Sequence, residues 1–416
     1  MAPKRKIREE EKTTMEEDGL SNLPDGLKTR ILSFLDLKEA VQTSLLSKIW
    51  VSTWTRIPVL KFQIPGSTSV VVFDEFVNKV FTRRDESAPL KWLIYERFGP
   101  CSPELIKKVF DFALTHSVEA LTVEFDIAGD FSWPICVDVP LESVLSLVLI
   151  STMYDVGCPF LGSGSFKNLI NLHLHRPIIT DLESFTGFPS LERLALLNYQ
   201  IKTEGKILRV KAPNVATSIT SNYYNEGFTC CELTTPNLKM FAYEGSEFPR
   251  ILIHETLSVF DTLAIGFIGS GHRHEKRKFD DLMAMFSVFH NARFVPLFLL
   301  MIALLSFYED ELVKRSSPFE KVNHLLLHFK GYQYQGWSAD ECSRIASNLK
   351  AYFLHKSSDA KFTLVNPNVE DETGGSLVRA GRRRRKKESE MVPTRRTSCR
   401  RDGGLAGGKE DTGDLV

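Results

Sequence analysis

The chain has few means of covalent bracing. Its 416 residues include seven cysteines, none in a C-x-x-C pair and only Cys230 and Cys231 adjacent, so a disulfide framework or a local zinc motif is not expected. Reduced thiols in an intracellular protein are the expectation. The start, MAPKRKIREEEK, lacks an apolar stretch and so does not read as a secretory leader. The longest apolar run, FVPLFLLMIALLSF at 294–307, is shorter than the ~20 residues that span a bilayer, which predicts packing inside the protein. Formal net charge is zero, so electrostatic recognition has to come from local clusters. Walker-type loops, G-x-S-x-G, H-E-x-x-H and kinase signatures are missing, and Cys101, Cys136 and Cys158 lie near proline or apolar residues rather than in an electropositive setting. No catalytic group, no metal site and no cofactor are expected.

What the chain does have is a dense apolar segment at its start. Pro24 suits a first helical turn, and Leu27, Ile31 and Leu35 then recur at i, i+4 and i+8, broadened by Leu32 and Phe34. Asp36 with Glu39 predicts a capping box for a second helix carrying Ala40, Val41, Leu45 and Leu46. Ser47 can cap a third, in which Trp50, Trp54 and Ile57 repeat before Pro58 ends it. Three helices this short do not bury a core of their own, so their apolar stripes predict an external partner.

Downstream, apolar-x-x-apolar-x-apolar units begin at Leu90, Val118, Val144, Leu169, Leu191, Leu238, Phe260, Val322 and Leu349, mostly about 22 to 28 residues apart. A degenerate unit fits at Val215. Another at Ala292 is at odds with Pro296, which would remove a ladder donor from its strand. Pro177 and Tyr199 stand where a strict repeat has its ladder asparagine, which predicts an irregular arc.

The segment from Asp18 to Phe62 resembles an F-box, in the form found in plant F-box proteins with leucine-rich repeats. The matching motifs are Leu-Pro-Asp at 23–25, Ile31-Leu32-Ser33-Phe34-Leu35, the run Ala40-Val41 to Leu45-Leu46-Ser47-Lys48, and Trp50 with Trp54. Residues 63 to about 365 are similar to the irregular repeats of the same family in "SAPLKWLIYE", "SVEALTVEF" and "LTTPNLKMFAYEG". It departs from the family pattern at Gly26, Ile49 and Val51, which bears on adaptor affinity.

The resemblance implies an α/β fold: an N-terminal three-helix F-box, then an irregular leucine-rich-repeat solenoid with a curved parallel sheet. It implies no enzyme but the substrate-recognition subunit of an SCF-type ubiquitin ligase, bound to a Skp-type adaptor and through it to a cullin-RING scaffold. Leu23, Pro24, Ile31, Leu32, Leu35, Val41, Leu46 and Trp50 match the positions that form or support the adaptor contact. The expected divisions are a charged tail at 1–17, the F-box at 18–62, the solenoid at 63–366 and a disordered basic tail at 367–416.

In the repeat register, Trp92, Glu124, His173, His175, Arg193, Glu244, His324 and His328 point away from the core, onto the open face where solenoids bind other macromolecules. That face is expected to be a mixed polar and histidine surface that holds a protein substrate. The tail carries six consecutive cations, Arg382, Arg383, Arg384, Arg385, Lys386 and Lys387, a pattern that fits a nuclear-import signal. Nucleus, cytoplasm or both are the expected locations. The alternative reading is a nuclear scaffold without ligase activity, or a nucleic-acid binder acting through the tail, whose affinity would fall steeply with salt.

Overall fold

A computed structural model describes residues 22–45, 48–64, 69–126, 132–133, 142–162, 166–180, 185–202, 204–222, 230–257, 259–268, 276–329 and 337–365. The basic run at 382–387, both expected tails, Leu46 and Ser47 lie outside the described residues. Helices and sheet belong to one compact unit.

The first segment folds as three short helices, α1 (Asp25–Leu32), α2 (Leu37–Gln42) and α3 (Lys48–Thr53). Pro24, with extended backbone, stands at the N-cap of α1. The capping box of α2 is present: Asp36 Oδ1 accepts from Glu39 N at 3.0 Å, and Glu39 Oε2 accepts from Asp36 N at 3.3 Å. The third helix is shorter than its spacing suggests, giving way to a 3₁₀ turn at Trp54–Arg56 ahead of Pro58. Trp50, Trp54 and Ile57 are all buried.

The chain then enters a twelve-stranded sheet in which every strand pairing among the described residues is parallel. Its first strand, Val59–Gln63, runs across the expected end of the F-box at residue 62 and pairs with Trp92–Pro100. The next strands are Ala120–Asp126, Ser146–Ser151, Asn171–His175, Arg193–Leu197, Thr217–Asn222, Met240–Gly245, Thr262–Phe267, Phe294–Phe298, His324–His328 and Lys361–Val365. Nine of these eleven strands after the first begin two residues beyond an apolar anchor read from the sequence, from Leu90 to Val322, the Val215 unit included; the Phe294 strand follows Ala292 in the same way. The last, Lys361–Val365, has no such anchor.

Two expectations are corrected. The segment after Ala292 is a full strand despite Pro296, which tolerates its place because the ladder to Thr262–Phe267 is interrupted there, pairing Thr262 with Phe294 and Ile265 with Leu297. Leu349 opens no strand. It sits in a helix (Ala339–Phe353), where Ile345, Leu349 and Phe353 form a buried face at helical spacing.

Successive strands are locked by a repeated main-chain device. The carbonyl before each strand accepts two N–H groups from the next repeat: Pro58 O from Lys91 and Trp92 at 2.8 and 3.2 Å, Glu119 O from Leu145 and Ser146 at 2.8 and 3.1 Å, and so on to Arg293 O from Asn323 and His324 at 2.7 and 3.0 Å. Asparagine links are also present, but in the turns before the strands. Asn168, Asn214 and Asn237 donate to the carbonyls of Glu142, Pro189 and Pro213 at 2.9, 2.7 and 3.0 Å.

Alternate strand residues, such as Leu93, Leu121, Leu147, Leu172 and Leu194, point inward and are buried. The other wall of this core is helical at both ends of the array: α4 (Val70–Arg83) and α5 (Pro103–Thr115) at one end; α6 (Lys276–Val288), α7 (Leu299–Phe307), α8 (Glu309–Lys314) and α9 (Ala339–Phe353) at the other. Between them lie two small parallel sheets, Val156–Gly157 with Pro177–Ile179 and Gln200–Ile201, and Ile207–Lys211 with Cys230–Thr234 and Arg250–Ile253.

Two buried arginines fasten α4. Arg97, from the second strand, makes a two-pronged contact with Asp74 at 2.9 and 3.0 Å. Arg84, just past the helix, reaches back into the first segment. Its Nη1 donates to Thr55 O at 3.2 Å and Ile57 O at 2.9 Å, while Nη2 donates to Ala88 O at 3.5 Å and Pro89 O at 3.1 Å. Burial lowers its pKa to about 10, with Asp85 opposing, so it stays charged at neutral pH.

Candidate functional site

The first three helices leave much of their apolar surface uncovered. On α1 the side chains turned inward are Lys28 and Leu32, and Lys28, only 5% exposed, keeps an ion pair with Asp25 at 3.5 Å. The stripe read from the sequence therefore faces out: Leu27 is exposed, Ile31 and Leu35 are each 40% exposed and Phe34 80%. Leu45 and Val51 extend the exposed apolar surface on the neighbouring elements. A lysine folded inward while a leucine-isoleucine-phenylalanine stripe faces solvent inverts the usual arrangement, and contiguous apolar surface of this kind marks an interaction site.

The eight residues expected at the adaptor contact fall into distinct places. Ile31 and Leu35 lie on the exposed stripe, Pro24 is exposed at its head, and Leu23 and Val41 are half-buried beside it. Leu32 and Trp50 (5% exposed) are buried and hold the stripe up from beneath. Leu46 is not among the described residues. Phe34, Leu45 and Val51 were not among the eight, although Leu35 and Phe34 come from the same run. A Cβ on Gly26 would meet nothing within 4 Å, so a side chain at that helix position would stand in solvent.

The second candidate surface is the sheet face turned away from the core. All eight residues expected there occupy its three rows. Trp92, Arg193 and His324 lie in the first; His173 lies in the second, in register with Val148 and Ala195; Glu124, His175, Glu244 and His328 lie in the third. The expected surface needs correcting in two respects. Its middle row is apolar for much of its length, with Ile94, Val148, Ala195, Ile219 and Ala242 flanking His173. It is also less open than expected: Trp92 and Arg193 are exposed, but Glu124 is only 7% exposed and the other five are half-buried. The sequence marked the polar positions but carried no signal for what covers them.

Three of these histidines have defined contacts or settings. His175 Nδ1 donates to Ser151 O at 2.6 Å, while Asn198 Nδ2 donates to its Nε2 at 2.9 Å. His324 stacks on Phe294 with centroids 4.8 Å apart and bonds Thr363 Oγ1 at 2.9 Å. Burial, reinforced by neighbouring His175, lowers the pKa of His173 to about 4, and its Nε2 is buried without a hydrogen-bond partner. An unfolded histidine near 6.5 takes up a proton that the folded ring refuses, so the stability this neutral ring confers is whole above pH 6.5 and declines as pH falls towards 4. A loss of roughly 3 kcal/mol across that window follows, since each pKa unit is about 1.4 kcal/mol. Denaturant melts of His173→Leu at pH 7 and pH 4.5 should show a smaller acid loss than the parent chain; an identical loss would assign the acid sensitivity to other groups.

Among the described residues no group of three or more His, Cys, Asp or Glu side chains is placed to hold a metal ion, and no helix is long and apolar enough to cross a membrane. Cys101, Cys158, Cys231 and Cys342 are buried, and burial pushes their thiols up, away from the thiolate form.

Comparison with known proteins bears on both surfaces. An F-box domain model matches residues 20–62, which contain the exposed stripe. An F-box/LRR-repeat protein of Arabidopsis thaliana is 32% identical over 209 residues, covering 43% of this chain and 67% of the relative. An F-box/FBD/LRR-repeat protein of the same plant is 25% identical over 382 residues, 86% of this chain and 81% of its own length. A putative F-box/FBD/LRR-repeat protein is 47% identical over 60 residues, 14% of this chain and 13% of the relative. The chain spans about half the length of two further relatives, a putative F-box protein and an F-box/FBD/LRR-repeat protein.

Proposed function

The chain belongs to the F-box/LRR-repeat protein family, and from that premise we propose that it is the substrate-recognition subunit of an SCF-type ubiquitin ligase. The exposed stripe of α1 docks a Skp-type adaptor, which connects to a cullin-RING scaffold, while the sheet face holds a protein to be modified. The single observation that carries this reading is the inverted α1 and the turn after it, with Lys28 inside and Leu27, Ile31, Phe34 and Leu35 outside. Docking of a second subunit relieves the cost of that arrangement.

In this role the chain performs no bond chemistry. It raises the effective concentration of a substrate lysine near a charged conjugating enzyme, converting a bimolecular encounter into a local one. The basic run at 382–387 is consistent with a nuclear address, so nucleus and cytoplasm are both working locations in this proposal.

Affinity capture of the full chain from a plant extract tests the assignment. Skp-type adaptor and cullin should co-purify in near-stoichiometric amounts, and the captured assembly should extend ubiquitin chains when supplied with activating and conjugating enzymes. Capture that brings down nuclear partners with neither adaptor nor cullin would replace the ligase role with a scaffold role.

A further inference from the structure

The two ends of the sheet are finished differently. At the first strand, α2 packs against the sheet, and Leu60 and Phe62 are fully buried. At the other end, Lys361–Val365 pairs with His324–His328 on one side and with no described strand on the other. Lys361 N donates to Asn323 O at 2.8 Å and Val365 O accepts from Phe329 N at 3.0 Å. Alternation then turns the main-chain groups of residues 361, 363 and 365 towards the neighbouring strand, and those of Phe362 and Leu364 outward.

The side chains at this edge are equally unfinished. Phe362 and Leu364 are in register with Leu325 and Leu327, which are fully buried. Phe362 is only partly buried and Leu364 is 38% exposed. The usual protections of an edge strand, a proline, a bulge or a charge aimed at the core side, are missing from Lys361–Val365. What surrounds it is cationic. Lys350 Nζ lies 5.2 Å from the Phe362 ring, Lys356 and Lys361 are exposed, and Asp359 is the one carboxylate between residues 350 and 365.

We propose that this edge takes an extended, acidic segment of a partner protein as a thirteenth strand. The segment's backbone pairs with the outward groups of Phe362 and Leu364, its apolar side chains complete the core row beside them, and its carboxylates, on the opposite face, meet Lys361, with Lys350 and Lys356 adding to the local positive field. Main-chain pairing supplies the grip and the lysines supply the choice of sign. The site is independent of both the α1 stripe and the sheet face.

The test uses the full chain and two labelled eight-residue peptides, one alternating valine with glutamate and one alternating valine with lysine, read by fluorescence anisotropy. The acidic peptide should bind at least tenfold more tightly, with an affinity that falls as salt rises. Leu364→Pro removes one outward N–H while leaving the inward donors in place, and should weaken binding at least tenfold. Lys361→Glu should shift the preference towards the basic peptide, and it decides the matter if Leu364→Pro lowers the melting temperature. Equal binding of the two peptides, or indifference to both substitutions, overturns the proposal. So does a concentration-dependent dimer, seen by light scattering and lost in Leu364→Pro, since that assigns the edge to a second copy of the chain.

Discussion

Ile31→Asp combined with Leu35→Asp should weaken adaptor binding by at least a hundredfold while the chain still melts as a folded protein. Burying a fully exposed isoleucine or leucine side chain is worth about 1.5–3 kcal/mol; these two begin 40% exposed, so their lost burial accounts for about 1–2 kcal/mol, and desolvating two unpaired carboxylates in an apolar interface adds at least as much again, together two decades or more in affinity. The folded chain itself loses little, because both positions face solvent; an aspartate at Ile31 costs less than about 1 kcal/mol of helix propensity, and Leu35 lies in the turn after the helix. Trp50→Ala is the informative contrast. Trp50 is buried, so its truncation should cost about 3–5 kcal/mol of stability and reduce binding through unfolding. Calorimetric titration with purified adaptor, paired with thermal melts, separates the two. Unchanged affinity in the double aspartate variant would remove the α1 stripe from the interface.

Arg84→Met should cost roughly 3 kcal/mol and loosen the junction between the first helices and the sheet. The guanidinium is the donor for four carbonyls, at Thr55, Ile57, Ala88 and Pro89. Methionine fills similar space and removes the desolvation cost of the charge, but leaves buried carbonyls unsatisfied at about 1–3 kcal/mol each. Hydrogen exchange should rise at residues 50–60 and 84–92 ahead of the rest of the sheet. Adaptor affinity should hold, since the α1 stripe lies apart from these contacts. Uniform exchange across the sheet, or a stability change below about 1 kcal/mol, would show that Arg84 is no such clamp.

How much of this was legible in the sequence follows from what kind of force sets each feature. The strands were readable because a period of two between apolar residues is a local property, and the anchors from Leu90 to Val322 mark them with a constant offset. Val215 and Ala292 follow the same rule with weaker residues. Pro296 argued against its strand only because a single sequence does not tell which of its neighbours needs the missing donor. Leu349 misled because an apolar triplet with two intervening residues fits a helix face as well as a strand. The signal that settles it is Ser338 with Glu341, a capping box that opens the helix and was there to be read.

The stripe on α1 was visible as a period, but its direction was not. Periodicity shows that a helix has an apolar face; which way that face turns depends on what else is available to cover it, and here Leu32 and the buried tryptophans take the inside. Arg97 with Asp74, and Arg84 with Thr55 and Ile57, join residues more than twenty positions apart through polar contacts without a local pattern. Alternation puts the histidines of the sheet face in its outward rows, whereas their half-buried setting, and the lowered pKa of His173, depend on packing that alternation does not encode.

The strand Val59–Gln63 is at once the end of the first segment and the first rung of the sheet, with no linker between them. Parallel rungs stand about 4.8 Å apart, so in the proposed role the array works as a yardstick fixed to the adaptor-bound end. Cargo gripped at the eighth rung is offset by roughly 30–35 Å of contour from cargo gripped at the first. Which of its lysines comes within range would then be decided by where along the yardstick it sits, before any selectivity of the conjugating enzyme comes into play.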